Sequence, residues 1–411
     1  MYTVDDIIEA GQQAIDRSPR EDGMKRSDKQ ILTTHTGSLP RPLSLVRLLF
    51  DKDGGKAYDP AELDREIKAA VTEAVRKQRE AGVTVINDGE QGKTNFYVYR
   101  YQRLSGFALE PAPAGGPAMA SEAADYPEFY QRWLSGGRIR PHTPPENRQL
   151  CCTSAVGWKD FSDVERDIAN LKAAAQGAGA AEVFMSAISP ATYAPKNLHY
   201  KTEEDYYAAM ADAMRREYQA IIDAGFVLQI DAPDLTTYYR MAYVTVEEHL
   251  KHMGLCVDAI NYAVRDLPAD RIRVHVCWGA DEAPHHRDIP LKDILPELLR
   301  LTPQGMTIPG ANGRHSHEWK VWKDVTLPQG KVIIPGVIDS TTNIIEHPEA
   351  VAERILNYAS VLGRENIIAG VDCGFDTVAD MGQVDPKIVW AKLRAQADGA
   401  TLACQALGVG A

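Results

Sequence analysis

The chain has 411 residues, 44% of them hydrophobic, and a formal net charge of −12 at neutral pH. That apolar content can fill a large core, while acidity spread along the sequence argues against nucleic acid or an anionic membrane as a partner. No run reaches the roughly 20 apolar residues of a membrane span, the first residues lack the basic-then-apolar order of a secretory signal, and six cysteines are too few for a disulfide scaffold. We therefore expect a cytoplasmic protein with free thiols.

Residues 1–30 combine a short amphipathic segment around Ile7, Ile8 and Ile15 with a charged run at 17–29. They read as an N-terminal helical arm, packed separately and available for homo-oligomer formation. From Ile31 a grammar repeats, in which a short β-branched run precedes a charged stretch of helical period. The expected strands are 31–36, 83–88, 183–189, 226–231, 272–277, 306–309, 332–337 and 367–372, and the helical patterns between them include 60–81, 161–175, 203–224, 246–267, 289–301 and 348–362. Alternation predicts a parallel sheet, and eight units predict a (β/α)8 TIM barrel over 31–411, a fold of about 250 residues before insertions. A ninth run at 150–156 follows a Pro/Gly/Ala-rich loop at 110–124 and a Pro-rich one at 141–145. It is assigned to a long insertion after strand 2, an excursion over about 97–158, since loops of that length serve as lids or binding loops.

Barrel chemistry collects at the C-terminal ends of the strands. The predicted strands deliver Gly37 and Ser38, Asp88 and Glu90, Asp231, His275 and Cys277, Asp339 and Ser340, and Asp372 and Cys373 to that end. Side chains two apart on a strand share a face, so His275 and Cys277 offer an imidazole and a thiol side by side. A lone pair of this kind equally suits buried packing; a third soft donor, Cys373, makes a three-ligand zinc site with one open position. One imidazole and two thiolates select zinc over magnesium or calcium. Their charge makes the ion a weak activator of water and a good holder of a further thiol, deprotonated on coordination. The chemistry that follows is alkyl transfer onto a substrate sulfur. Glu90 and Asp231 form a carboxylate pair able to grip an ammonium group, though bonds to loop amides would use them equally well. Gly37 and Ser38 offer N–H groups and a hydroxyl to an anion. The His-x-His of 315 and 317 reads as a polar loop with satisfied histidines, His285 and His286 as solvated, and Cys151, Cys152, Cys256 and Cys404 as packing. Tyr97, Tyr99 and Tyr101 alternate at strand spacing and read as wall.

Several motifs occur in order: Thr34-His-Thr-Gly-Ser-Leu-Pro-Arg-Pro42, Asp88-Gly-Glu-Gln-Gly92, Leu228-Gln-Ile-Asp231, His275-Val-Cys-Trp-Gly279, Arg314-His-Ser-His-Glu-Trp319, Thr342-Asn-Ile-Ile-Glu-His-Pro348 and Gly370-Val-Asp-Cys-Gly-Phe375. In these the sequence resembles the cobalamin-independent methionine synthase family, in the short homologues that correspond to its C-terminal catalytic barrel. The resemblance implies that His275, Cys277 and Cys373 bind zinc and that Glu90 and Asp231 hold the amino group of a homocysteine-like thiol. It places Gly37 and Ser38 near the thiol's carboxylate and implies a folate methyl donor. The related epoxyalkane:coenzyme M transferases open epoxides with a zinc-bound thiol. Two departures stand out: Pro309 replaces the family's glutamate at the end of strand seven, and Ser340 aligns with its proton-relaying histidine. Asp339 and Ser340 are accordingly the expected catalytic pair. Run backwards, the same site is a carbon–sulfur lyase. A metal-free decarboxylase of the uroporphyrinogen type, using Asp88, Asp231 and Arg41, and a zinc-binding barrel serving a partner are the competing readings.

Overall fold

The computed structural model describes residues 23–111, 121–135, 148–241 and 244–410. The amphipathic part of the expected N-terminal arm, and with it any oligomer contact there, lies outside the described residues. Residues 23–30 form no helix. They are pinned to the bottom of the sheet: the Met24 amide donates to Asp270 O at 2.7 Å, and Ser27 Oγ donates to Ile367 O at 2.6 Å.

Nine strands are present among the described residues: β1 Val85–Ile86, β2 Leu104–Pro111, β3 Arg148–Trp158, β4 Glu182–Ile188, β5 Lys196–Asn197, β6 Val227–Asp231, β7 Ile272–His275, β8 Gly305–Ile308 and β9 Val332–Pro335. Six of them form one parallel sheet in the order β1-β4-β6-β7-β8-β9. Residues on β6, β7, β8 and β9 are buried throughout, as expected of parallel strands covered on both faces.

The expected strands at 31–36 and 367–372 are not regular strands. Isolated parallel bridges replace them, Thr33 to Ala369, Ile333 to Ile367 and Gly336 to Gly370, and the Val85 amide reaches Thr33 O at 2.9 Å. These contacts join the two edges of the sheet, β1 and β9, through segments 33–34 and 367–370. Side chains add to these backbone bonds: Gln396 Nε2 lies 2.8–3.0 Å from the carbonyls of Thr34, Ala369 and Gly370, and Thr84 Oγ1 takes the Thr33 amide at 2.8 Å. The other boundaries shift by a residue or two, with β7 ending at His275 rather than Cys277.

Helices between the strands begin where the sequence caps them. Asp59 and Thr202 accept first-turn amides, Thr245 and Glu248 form a reciprocal capping box, and Pro60, Pro348 and Pro386 stand at the first helical position. Their apolar stripes, such as Leu63, Ile67, Val71 and Val75 on helix Pro60–Glu80, are buried. Each such side chain contributes about 1.5–3 kcal/mol. No helix among the described residues is long and apolar enough to cross a membrane.

The run at 150–156 belongs to a separate three-stranded sheet, β2-β3-β5, with β2 and β3 antiparallel. Tyr97, Tyr99 and Tyr101 are not strand residues: they lie on helix Phe96–Arg103, capped by Asn95 Oδ1 accepting from the Val98 amide at 2.7 Å. A cap and about two helical turns outweigh the aromatic alternation.

Candidate metal centre

The end of β7 carries the first donors. Asp231 of β6 is in register with His275, and His275 with Thr307, which aims the imidazole at the sheet's C-terminal end. Cys277, two residues on, keeps that face, and its Sγ lies 3.3 Å from the Gly279 amide. Cys373 follows the Gly336–Gly370 bridge and meets them from across the ring. The two Sγ atoms are 3.2 Å apart, His275 Nε2 is 3.8 Å from Cys373 Sγ, and the three donor atoms lie within 4.8 Å of one another. All three residues are buried.

A 3.2 Å separation is far beyond a disulfide of about 2.05 Å and close to the 3.5–3.8 Å or so that tetrahedral zinc sets between ligand atoms at about 2.0–2.3 Å. The electrostatics agree. The hydrogen bond from Cys373 holds the Cys277 thiol well below its ordinary value, with help from His275. The same hydrogen bond, with burial, raises Cys373 well above it. Burial works against a charged His275, but the Cys277 hydrogen bond and charge raise it. Its Nδ1 is buried without a partner. One imidazole and two sulfurs, sharing protons in a dry site, fit a soft divalent ion.

Beside these donors lies a cavity of about 90 Å³, walled by Ser38, Glu90, Asp231, His275, Cys277 and Cys373, with Phe96 and Tyr193 also on its wall. Burial and then the charge of Glu90 push Asp231 up to about 7. The two carboxylates therefore act on each other, as their expected pairing requires. Gly37 does not line the cavity. It allows Glu90 to pack on the backbone, since a Cβ there would lie 2.5 Å from Glu90 Oε1.

Asp339 and Ser340 lie on a second, larger cavity of about 370 Å³, together with Pro309. Gly279 and Cys373 wall both spaces. The expected catalytic pair thus faces the far side of Cys373. Asp372 points away from the donors: its carboxylate accepts the amides of Gly310, Ala311 and Asn312 and the Asn312 side chain, each at 2.8 Å.

His285 is largely buried rather than solvated, whereas the His286 side chain stays 34% exposed. His285 bridges Asp288 at 2.7 Å and Asp281 at 3.0 Å, and His286 meets Asp125 at 2.9 Å. Carboxylates from two loops converge there. His315 sits between Glu318 at 2.8 Å and Asp288 at 3.0 Å while His317 is exposed, which confirms a satisfied loop. The four other cysteines are buried packing residues.

Several positioning residues escaped the sequence reading. Gln229 donates to Asp231 Oδ1 at 2.7 Å and accepts from Arg273 Nε at 2.8 Å. Strand period two could have found both, since each lies two residues before a site residue. Buried Lys93, whose Nζ donates to Ser186 O at 2.8 Å, keeps its charge through Glu90 and Asp88 although burial opposes it. Arg41 is buried; its Nη1 binds Asp376 at 2.9 Å and its Nη2 the Glu90 carbonyl at 2.8 Å, tying three loops together. Arg240 joins Glu122 at 3.1 Å to Asp281 at 2.9 Å. No local signal announces a contact across 118 positions.

The fold and the strand-end donors thus define an α/β protein with a candidate three-ligand metal centre. Residues 196–389 match the family model described as "Cobalamin-independent synthase, Catalytic domain". The chain is 24% identical over 345 residues to a methionine synthase of Sulfolobus acidocaldarius, covering 83% of this chain and 85% of that one. It is likewise 24% identical over 384 residues to a 2-hydroxypropyl-CoM lyase of Xanthobacter autotrophicus, covering 85% and 90%. A B12-independent methionine synthase from Shewanella sp. W3-18-1, in complex with selenomethionine, shares the fold with a TM-score of 0.67 at 18% identity, over 92% of this chain and 99% of that one. The chain is thus similar to the catalytic domain of cobalamin-independent synthases over residues 196–389, the family its motifs resemble. Gly37, Ser38 and Glu90 precede the segment that the family model covers.

Proposed function

We propose that this protein transfers a methyl or other alkyl group to the sulfur of a small amino thiol, with zinc held by His275, Cys277 and Cys373. One observation carries the reading: three buried soft donors from two distant segments lie within 4.8 Å of one another, beside a cavity that also holds two carboxylates. When bound, zinc would supply the charge that keeps a substrate sulfur as thiolate at neutral pH. Glu90 and Asp231 bind the ammonium group, and Gln229 fixes the rotamer of Asp231. Ser38 offers its hydroxyl to the carboxylate, while Gly37 lets Glu90 lie close enough to share the ligand. Phe96 and Tyr193 give the cavity an apolar wall. Asp339 and Ser340 face the donor side. We assign this chemistry to a single (β/α)8 domain over 31–411, with the excursion at about 97–158 as an insertion after strand 2 and residues 1–30 as an arm.

The relative named as a 2-hydroxypropyl-CoM lyase favours a second reading on the same centre, carbon–sulfur bond formation or cleavage with a different alkyl partner. The decarboxylase reading loses its cation, because Arg41 is buried and engaged by Asp376 and Glu90.

Metal analysis of the purified protein tests the proposal. About one zinc per chain is expected for a single three-ligand site, with loss of the metal in Cys373→Ala and a thioether product by mass spectrometry that depends on Cys277. Full zinc retention in the variant would sink it.

A further inference from the structure

Four residues other than glycine take positive φ among the described residues: Glu90 at 55°, Tyr193 at 46°, His285 at 53° and Asp380 at 61°. Two of them, Glu90 and Tyr193, wall the cavity of about 90 Å³ beside the metal donors. A tyrosine in this region is uncommon, because its Cβ crowds the backbone where glycine would fit freely. Strain of this kind persists only where the surroundings impose it, and it gathers at sites that bind ligands.

The surroundings impose it here. Tyr193 lies in the loop that follows β4, and helix Phe96–Arg103 holds that loop. Arg100, fully buried, donates through Nη1 to the carbonyls of Ser189 at 2.8 Å and Pro190 at 3.1 Å, and through Nη2 to that of Thr192. The Tyr101 hydroxyl donates to the Tyr193 carbonyl at 2.6 Å. Asp234 Oδ1 accepts from the Ser189 hydroxyl at 2.8 Å and from the Thr192 hydroxyl. With its backbone fixed in this way, Tyr193 sets its ring against Phe96 and Tyr97, at 6.2 and 5.4 Å between centroids. The residue nevertheless stays 53% exposed. A side chain so exposed gains little from burial, so core packing does not account for a strained backbone held by four residues. What the arrangement does achieve is a rigid ring at the edge of the small cavity.

We propose that Tyr193 is a specificity-determining residue, which with Phe96 limits the length of the thiol that can bind. The inference rests on the thiol-alkylation reading above and narrows its substrate. The metal donors fix where the sulfur lies, and Glu90 and Asp231 fix where the ammonium group lies. What remains free is the carbon chain between them, and the rings of Phe96 and Tyr193 are the apolar wall it meets. A wall that cannot yield rejects even one added methylene, since overpacking forces neighbours out of place. A mobile side chain on an unstrained loop would move aside instead.

Calorimetric titration of the zinc-containing protein with homocysteine, and with 2-amino-5-mercaptopentanoic acid, its homologue one methylene longer, tests this. Homocysteine should bind about 10- to 200-fold tighter, the range one methylene commands in a fitted pocket. Tyr193→Ala should lower that ratio at least about tenfold by letting the longer thiol bind more tightly, a gain that general loosening of the fold would not give. Tyr193→Phe, which keeps the ring, should retain the ratio. Thermal melting checks the backbone: Tyr193→Gly should melt about 1–3 °C above Tyr193→Ala, reversing the usual order, because alanine is strained at positive φ and glycine is not. An unchanged ratio in Tyr193→Ala, or equal affinity of the parent protein for the two thiols, overturns the inference while leaving thiol alkylation standing. A glycine variant that melts below the alanine one overturns it as well, since the wall would then not be held. Protein that takes up no zinc, or that binds neither thiol, removes the thiol-alkylation reading and this inference with it.

Discussion

Cys277 Sγ and Cys373 Sγ lie 3.2 Å apart, although 96 positions separate the residues in sequence. The pair shares a proton unequally, with Cys277 the more acidic, and the thiolate is the reactive form. In metal-depleted protein at pH 7.5, iodoacetamide should alkylate Cys277 about ten times faster than Cys373, and stoichiometric zinc should protect both. Peptide mass spectrometry reads the order. Faster labelling of Cys373, or labelling unaffected by zinc, contradicts this account of the centre.

Recognition of an ammonium group by Glu90 and Asp231 separates amino thiols from their deaminated analogues. A hydrogen bond to a charged group contributes about 1.5–3 kcal/mol, so Glu90→Gln and Asp231→Asn should each weaken homocysteine binding about 10- to 100-fold. The mercapto acid lacking the amine should change less than about threefold. Equal losses for both ligands would show that the carboxylates serve structure alone.

Close backbone approach shapes the small cavity. A Cβ on Gly374 would stand 2.1 Å from Ser38 Oγ, and one on Gly37 would meet Glu90 Oε1 at 2.5 Å. Gly374→Ala should therefore displace Ser38, destabilise the protein by about 1–3 kcal/mol, and raise the KM for thiol more than it lowers kcat. Chemical denaturation and steady-state kinetics check the two parts.

The His285–Asp288–His315 cluster makes stability pH-dependent. Burial opposes charge on both histidines, but the Asp281 and Asp288 bonds raise His285 to about 10, and Asp288 and Glu318 raise His315 to about 9. A raised folded-state pKa stabilises fully below the unfolded value, near 6.5, and this contribution is lost as pH climbs through the folded one. For His315 the loss is on the order of 3 kcal/mol. Urea midpoints should fall between pH 6.5 and 10, and His315→Gln should flatten that slope. An unchanged slope in the variant would show that the cluster is not charged.

How far the sequence reaches is seen at His275 and Gln229. Strand period and parallel-sheet polarity are local rules, so an apolar run ending in His-x-Cys already places those donors at one face and one end. By the same rule, Gln229 was legible before Asp231 and was overlooked. The strand period misled at Tyr97, Tyr99 and Tyr101, where the Asn95 cap made a helix, and at 31–36 and 367–372, where isolated parallel bridges stand in place of regular strands.

The sequence by itself determined the alternating α/β grammar, the donor types and the carboxylates at strand ends, because each depends on neighbours a few residues away. Only the tertiary structure decided that Cys373 closes on Cys277, that Asp339 and Ser340 face a separate cavity, and that Arg240, Lys93 and Arg41 brace the loops around the site. Those outcomes depend on how the sheet closes and on burial, which bring groups together across 93 or more positions and set which of them stay charged.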